Sequence, residues 1–189
     1  TSDAGTVAKV VGKLADISRQ RSREQELREQ AMRDVLTGIY NKAGEKLIDR
    51  MVKEKGQGLF LMLDLNDFKS INDTMGHAAG DAILTEMGRV LKGACRENDI
   101  VARIGGDEFV MFLPGAFDWQ TGKRKIGEIQ DSLRTVMITT WGIRGIRASI
   151  GAALCPEDGM DYETLFKAAD EAMYLDKEQS KNRNESREA

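Results

Sequence analysis

The chain has 189 residues, 41% of them hydrophobic, which is enough for one full core and too little to promise two independent globular domains. Its 28 basic and 31 acidic side chains leave a net charge of −3, so the overall balance argues against a protein that coats nucleic acid. Two cysteines, Cys95 and Cys155, give no disulfide framework and are expected to be free thiols, and the longest apolar run, Leu59 to Leu63, is far shorter than the roughly 20 residues of a membrane-spanning helix.

The first segment, residues 1–17, is rich in β-branched side chains and resembles the last strand of a PAS sensor domain. On that interpretation the chain begins inside a truncated upstream domain. Val7, Val10, Leu14 and Ile17 also fit the spacing of three and four residues that is typical of a coiled-coil seam. Periodicity does not distinguish the two interpretations, and both stay open.

A continuous helix is predicted from about Ser18 to Asp34, where glycine and proline are absent and Arg, Glu and Gln are frequent. Its apolar content is small, with Leu27, Ala31 and Met32 as the main candidates for a buried stripe. Because an isolated helix of this kind is marginally stable, we expect it to pack against a partner, such as a second copy of itself. Residues 18–33 are therefore interpreted as a signalling helix.

After Asp34, predicted helices and strands alternate, which favours an α/β (α+β) sandwich with helices that cover a mainly antiparallel sheet. Helices are predicted near residues 43–55, 79–94, 120–137 and 162–179. Strands are predicted at residues 59–64, 101–104, 108–113 and 147–154. We expect residues 183–189 to form a disordered tail.

A pair of glycines, Gly105 and Gly106, separates two β-forming runs and predicts a tight hairpin whose turn requires positive φ. Asp107 and Glu108 then stand at the mouth of the turn. Taken alone, Asp107 is an aspartate of the kind that is common in turns, and Glu108 is a solvent-exposed strand residue. The hairpin by itself therefore does not indicate a functional site.

More carboxylates follow the apolar strand, which ends at Asp64 and is followed by Asn66, Asp67 and Lys69. Acidic groups at the point where a strand meets solvent suit a hard cation. Magnesium takes one or two carboxylates together with substrate phosphates and water, and two such ions can bracket an in-line attack at phosphorus. Asp64 and Asp107 could supply those carboxylates.

Four separated segments resemble the GGDEF family in their order and approximate spacing, over about residues 34–182. They read DVLTGIYNK at 34–42, LDLNDFKSINDTMGHAAGD at 63–81, RIGGDEF at 103–109 and ADEAMYLDK at 169–177. Any one of them is a weak signal, whereas all four in order argue strongly against a chance match. The resemblance implies a catalytic domain at residues 34–182 with a palm-like sheet related to polymerases and class III nucleotide cyclases.

The family's activity implies a diguanylate cyclase that condenses two GTP molecules into cyclic di-GMP and releases two pyrophosphates. Each subunit of a homodimer would bind one GTP, with two Mg²⁺ or Mn²⁺ ions in each active site. By similarity, Asp64, Asp107 and the backbone carbonyl of Leu65 coordinate the metals. Asp107 would also accept the proton of the attacking 3′-hydroxyl, with Glu108 and Lys69 completing the catalytic group.

The GTP contacts are carried over in the same way. Lys69 and Lys177 match lysines of the family that contact the triphosphate, although most lysines in proteins are exposed surface residues without a specific function. Asn72 and Asp81 match the guanine-reading pair, and a carboxylate that accepts from guanine N1 and N2 would favour GTP over ATP. Lys181 stands where arginine is usual, which would weaken the grip on phosphate. The remaining GTP positions are His77, which alone would suggest a structural role, Gly105 and Gly106.

Arg96 and Asp99 occupy the R-x-x-D position that the family uses as a product-binding inhibitory site. An arginine can engage the phosphate and guanine acceptors of cyclic di-GMP, while the aspartate takes guanine donors. A surface ion pair between the two residues is the alternative. The sequence therefore predicts cyclic di-GMP both as the product and as an allosteric inhibitor.

Intact acidic and guanine-reading residues favour an active enzyme over the runner-up function, a binding module that only reports cyclic di-GMP. A third function, a dimerisation relay through helix 18–33, is compatible with the first. The expected partners are GTP, cyclic di-GMP, a second copy and an upstream sensor domain. Neither nucleic acid nor a membrane is expected to contact the chain, which we expect in the cytoplasm even if the full-length protein carries an anchor.

Overall fold

The computed structural model describes residues 19–21, 23–115 and 118–188, apart from the side chains of residues 176 and 178–188. The chain divides into two compact units, Thr1–Arg33 and Asp34–Ala189. In the first unit, residues 19–21 and 23–31 are helical and exposed, which confirms a helix in this part of the chain. The predicted PAS strand or coiled-coil seam at residues 1–17 lies outside the described residues.

The second unit contains the four predicted helices in their predicted order and one helix, α2 (Phe68–Met75), that was not predicted. They are α1 (Gly44–Lys55), α2 (Phe68–Met75), α3 (His77–Gly93), α4 (Trp119–Arg134) and α5 (Tyr162–Glu188). None of the helices in the described part of the chain has the length and apolar character to span a membrane.

The strands form one main sheet and one small hairpin. They are β1 (Gly58–Leu65), β2 (Ile100–Arg103), β3 (Glu108–Pro114), β4 (Met137–Ile138), β5 (Ile143–Arg144) and β6 (Ala148–Cys155). The main sheet has the order β2-β3-β1-β6, and each neighbouring pair of strands is antiparallel. The predicted antiparallel sheet is thus confirmed, while β4 and β5 pair only with each other.

β1 lies at the centre of the core, with helices covering both faces of its sheet. Leu59, Leu61 and Leu63 join one buried cluster, which includes residues of α3 and α4. Phe60 and Met62 join a second cluster, which includes residues of α1 and α5. Because successive side chains of a strand point to opposite faces, a strand covered on both sides needs an uninterrupted apolar run.

β6 and α5 approach so closely that Gly151 has no room for a side chain. A Cβ atom at this position would collide with the carbonyl oxygen of Ala169 and lie 2.6 Å from the amide nitrogen of Met173. The backbone of α5 therefore rests directly on the sheet. This contact fixes the helix that carries Lys177.

Three parts of the fold differ from the sequence-based expectation. α2 has only eight residues, of which Phe68 and Ile71 pack partly buried against the core, so it is too short to show the repeated apolar pattern from which longer helices are predicted. β4 and β5, with two residues each, are too short to show an alternating pattern. α5 continues to Glu188 and includes residues 183–188, predicted as disordered, because no glycine or proline interrupts the sequence after Gly159.

Candidate active site

Two carboxylates meet where β1 ends and β3 begins. In the β1–β3 ladder, Asp64 lies directly opposite Glu108. Residues opposite each other in an antiparallel pair have Cβ atoms about 5 Å apart. The antiparallel register therefore brings together the acid after the apolar strand and the acid after the glycine pair. Asp107 adjoins them, since the amide of Leu65 donates to its carbonyl oxygen at 3.3 Å.

The turn between β2 and β3 is held by backbone and side-chain bonds. The amide of Ile104 donates to the carbonyl of Glu108 at 3.0 Å. Neither Gly105 nor Gly106 has a positive φ, so the predicted reason for the glycine pair is wrong. A Cβ atom at Gly105 would instead meet Oε2 of Glu108, so that the flexible end of the Glu108 side chain would have to move, whereas Gly106 has nothing within 4 Å of such an atom.

Arg103 ties this turn to the start of the second unit. Its Nε and Nη2 donate to the carbonyl of Gly106 at 3.0 and 2.7 Å. Its Nη1 lies 3.2 Å from Oδ2 of Asp34. The other carboxylate oxygen of Asp34, Oδ1, accepts hydrogen bonds from the amide and the hydroxyl of Thr37. Burial opposes ionisation of Asp34, but the Thr37 bonds and the Arg103 charge together lower its pKa. Both residues lie in the matched segments, yet their sequence separation gives no signal that they pair.

Acidic charge accumulates around these strand ends. Burial and the neighbouring Asp64 raise the pKa of Asp107. Burial, Asp64, Asp107 and Asp170 raise the pKa of Glu108. Lys177 neutralises part of this negative charge, because its Nζ lies 2.8 Å from Oδ1 of Asp64. The site therefore holds more negative than positive charge, which favours a cationic ligand.

A cleft of about 520 Å³ opens beside these groups. Asp64, Glu108 and Lys177 line it together with Asp170 and Glu171 of α5. Asp170 and Glu171 were not predicted as site residues, although both lie in the matched ADEAMYLDK segment. Asp170 precedes Lys177 by seven residues, a spacing that places both side chains on one face of a helix, and this spacing could have identified Asp170.

The residues present fit a divalent metal ion that is shared with substrate. Among the described residues, no three His, Cys, Asp or Glu side chains are grouped to enclose a metal on their own. Magnesium, however, is usually bound by one or two carboxylates with phosphates and water completing its shell. Asp64 and Asp107 offer such hard oxygen donors at a point of excess negative charge.

The predicted guanine-reading residues lie on α2 and α3. A Cβ atom on Gly80 would collide with Oδ1 of Asn72, so the Asn72 side chain rests against the first turns of α3. Asp81 is the next residue of that helix and is exposed. His77 is the first residue of α3 and is also exposed. The fold thus brings Asn72 beside the part of α3 that carries Asp81 and His77.

The connection from β1 to α2 is short and bent. Asp67 precedes α2 with φ +59°, and it is the only described non-glycine residue with a positive φ. Its side chain does not cap the helix. Asn66 accepts a bond of 2.8 Å from the hydroxyl of buried Ser149. Lys69 is exposed in the first turn of α2, and the Lys181 side chain lies outside the described ones.

Arg96 and Asp99 lie away from this site. They line a separate cavity of about 130 Å³ with Leu113 and Pro114, at the opposite end of β3 from Glu108. The two residues do not form the ion pair considered above, because Oδ2 of Asp99 instead accepts from the amide of Arg96 at 2.7 Å. No partner of the Arg96 guanidinium is found among the described residues.

Comparison with known proteins identifies the family to which the chain belongs. Residues 31–183 match the family described as "Diguanylate cyclase, GGDEF domain". The diguanylate cyclase DgcS of Shewanella oneidensis is 33% identical over 165 residues, which cover 84% of this chain and 53% of that protein. The diguanylate cyclase TpbB of Pseudomonas aeruginosa is 34% identical over 161 residues, covering 82% and 37%. The chain thus spans about half or less of the length of these curated relatives.

Solved structures show the same fold. The coiled coil and GGDEF domain of DgcB from Caulobacter crescentus, in complex with c-di-GMP, has a TM-score of 0.77 at 27% identity and covers 92% of this chain and 95% of that one. The GGDEF domain of TpbB from Pseudomonas aeruginosa has a TM-score of 0.72 at 34% identity and covers 78% and 89%. From the match over residues 31–183 and these likenesses, the chain belongs to the GGDEF-domain family of diguanylate cyclases.

Proposed function

We propose that this chain is a diguanylate cyclase domain that joins two GTP molecules into cyclic di-GMP and releases two pyrophosphates. The observation that carries the proposal is the pairing of Asp64 with Glu108 across β1 and β3, with Asp107 adjacent and Lys177 against Asp64. The family match supports the same reaction. The curated relatives named above are themselves called diguanylate cyclases.

In each half-reaction the ribose 3′-oxygen of one GTP attacks the α-phosphorus of the other. The new O–P bond forms as the bond to pyrophosphate breaks. Asp107 accepts the proton of the attacking hydroxyl. Because burial and Asp64 raise the pKa of Asp107, its carboxylate is a stronger base than that of an exposed aspartate. Glu108 supports this acidic cluster from the adjoining strand position.

Asp64, Asp107 and the backbone carbonyl of Leu65 would hold two Mg²⁺ or Mn²⁺ ions. When bound, such ions neutralise phosphate charge and polarise the attacking hydroxyl. The excess acidic charge at the strand ends supports this assignment. It also explains why a lysine, Lys177, lies against Asp64.

The remaining contacts hold the nucleotide. Lys69, Lys177 and Lys181 bind the triphosphate, and Gly105 and Gly106 let it approach the backbone. Asn72 and Asp81 read the Watson–Crick edge of guanine, with His77 close by. The contact between Asn72 and Gly80 supports this pairing, because it fixes the amide next to the turn of α3 that presents Asp81.

Each copy of the domain offers one GTP site, so the reaction requires a homodimer with two sites face to face. We propose that helix 18–33 brings two copies together in response to an upstream sensor domain. The reaction would take place in the cytoplasm, where GTP is available.

Cyclic di-GMP is proposed to bind at Arg96 and Asp99 and to inhibit the enzyme. The Arg96 guanidinium is exposed and Asp99 uses only Oδ2 within the turn, which leaves donors and an acceptor oxygen for a ligand. The structure of DgcB in complex with c-di-GMP supports this ligand for the fold.

The test incubates the purified chain with GTP and Mg²⁺ and separates the nucleotides by chromatography. Asp107→Asn should reduce cyclic di-GMP formation by at least about 100-fold, because it removes the proton acceptor and a metal ligand. Asp131→Asn is the matched control, since Asp131 is an exposed aspartate on α4. Its activity should equal that of the wild type.

Product from the wild type and the control alone supports the proposal. If neither makes product at high protein concentration, after bound cyclic di-GMP has been stripped, the cyclase proposal fails and a binding module becomes the better interpretation. Equal activity in Asp107→Asn would mean that the site has been assigned to the wrong residues.

A further inference from the structure

Lys125 connects α4 to the segment that follows α3. Its Nζ donates to the carbonyl oxygen of Ala94 at 2.6 Å in a partly buried position. Ala94 is the C-terminal cap of α3, and carbonyl groups at a helix C-terminus have no partner within the helix. The bond therefore joins two elements that lie 31 residues apart in the sequence.

The segment held by Lys125 leads directly into the Arg96–Asp99 turn. Within the turn, the amide of Arg96 donates to Oδ2 of Asp99 at 2.7 Å, and the amide of Asp99 donates to the carbonyl of Arg96 at 3.1 Å. These bonds fix the two residues relative to each other, but they do not fix the turn relative to α4. Cys95 packs partly against the core. Burial and Asp99 raise the pKa of the Cys95 thiol to about 11, and the Lys125 charge partly opposes that rise.

The turn and α4 both line the cavity of about 130 Å³. Arg96 and Asp99 contribute from the turn, and Arg124 and Lys125 contribute from α4. Pockets that enclose a whole drug-sized ligand have volumes of about 300 to 1,000 Å³. The cavity is smaller than this, so only a part of a cyclic dinucleotide, such as a phosphate or a base edge, could enter it. The fit of that part depends on the distance between the turn and α4.

We propose that Lys125 is a positioning residue for cyclic di-GMP, because its ammonium group holds the Arg96–Asp99 turn at the distance from α4 at which the product binds. The inference rests on the proposed inhibitory function of Arg96 and Asp99. Lys125 acts through the carbonyl of Ala94 and not through the product.

The experiment measures the Kd of cyclic di-GMP by calorimetry on the full chain after bound nucleotide has been stripped. Lys125→Met should weaken binding about tenfold, since the charge-assisted hydrogen bond to the Ala94 carbonyl, two residues before the turn, is lost. Lys125→Arg keeps a long cationic donor and should bind within about threefold of the wild type. Lys123→Met is the matched control, because Lys123 is an exposed lysine of α4 that does not line the cavity.

Two further measurements separate positioning from general structure. The melting temperature and the initial rate of cyclic di-GMP formation, measured while product is removed, should be similar in Lys125→Met and Lys123→Met. A loss of stability and initial rate that matches the loss of affinity would overturn the inference, because Lys125 would then support the fold as a whole.

Arg96→Ala distinguishes failure of the inference from failure of the proposed inhibitory site. If Arg96→Ala loses binding and Lys125→Met binds as Lys123→Met does, Lys125 has no positioning role. If Arg96→Ala also binds normally, both the site and the inference are wrong. An inactive wild type would refute the cyclase proposal but would leave the binding measurement interpretable.

Discussion

Arg103 is the side chain that links the start of the second unit to the turn before Asp107. Its guanidinium is divided between the Asp34 carboxylate and the Gly106 carbonyl. A planar fork of donors can bond both at once, which an ammonium group cannot do in the same geometry. Most other ion pairs of the described residues join neighbours on one helix and contribute little.

Asp34→Asn should destabilise the domain by about 1 to 3 kcal/mol near neutral pH, because Arg103 loses its counter-charge. The pKa of Asp34 is lowered in the folded state, so its stabilising effect is full above the unfolded pKa and is lost as pH falls through the folded value. The difference between variant and wild type should therefore shrink between about pH 5 and about pH 2. Urea unfolding across this range checks it, and a constant difference would contradict it.

Gly105→Ala and Gly106→Ala form a matched pair at the catalytic turn. The added methyl of Gly105→Ala meets the flexible end of Glu108, so stability should change by less than about 1 kcal/mol while the carboxylate moves. We expect cyclase activity to fall at least about tenfold through displacement of Glu108. Gly106→Ala has space for its methyl and should leave Glu108 in place.

GTP turnover and the melting temperature are measured for both variants to test these expectations. Equal turnover in both would show that the position of the Glu108 carboxylate does not matter for the reaction. A large loss of melting temperature in Gly105→Ala would show instead that the turn itself cannot accommodate the methyl group.

At this scale the end of the apolar strand draws attention to Asp64, and the glycine pair together with the family resemblance draws attention to Asp107 and Glu108. The structure places Asp64 opposite Glu108 with Asp107 adjacent, and the catalytic and metal-binding roles of the three residues stay predictions. The sequence pattern gives the wrong reason for Gly105, since a steric requirement between a turn residue and Glu108 depends on the three-dimensional path of the chain. It gives no role to Asp34 and Arg103, whose contact spans 69 residues of sequence. Local patterns carry no information about such pairs.

At the scale of elements, the packing of α5 against β6 determines where Lys177 lies in the cleft. The backbone of α5 rests on Gly151, and the same helix carries Asp170, Glu171 and Lys177 at the cleft. The position of these charged side chains therefore depends on the close packing of α5 against β6. The sequence predicts both elements from their apolar patterns, but α2, which carries Lys69 and Asn72, has only eight residues and is too short to show such a pattern.

Gly151→Ala should destabilise the domain by about 3 kcal/mol or more, because the methyl group collides with backbone atoms that cannot rotate away. Gly127→Ala on α4 is the control. A Cβ atom there meets nothing within 4 Å, and the substitution should stabilise the helix by about 0.5 to 1 kcal/mol. Chemical denaturation measures both, and a Gly151→Ala protein as stable as wild type would refute the close contact.

At the scale of the whole molecule, the two units differ in what supports them. Asp34–Ala189 contains both buried clusters, whereas the described helical residues of Thr1–Arg33 are exposed, including Leu27. The second unit therefore contains its own hydrophobic core, and we expect it to fold independently. The first supplies a surface whose stability requires a partner.

A chain that begins at Asp34 should fold cooperatively but require a higher protein concentration for cyclase activity, because removal of residues 1–33 weakens dimer formation and leaves the GTP contacts intact. Activity plotted against protein concentration measures the shift. Leu27→Glu in the full chain should shift the curve in the same direction. Identical curves for the full and shortened chains would discard the proposed role of the helix.

The location of the Arg96–Asp99 turn has a kinetic consequence. β3 spans Glu108–Pro114, so at about 3.4 Å per residue the turn lies roughly 20 Å from the acidic end of the strand. A molecule bound there cannot occupy the volume of the GTP. If cyclic di-GMP inhibits by binding at the proposed Arg96–Asp99 site, the inhibition should therefore be noncompetitive: the maximal velocity falls, the KM for GTP stays constant, and no excess of substrate restores the rate.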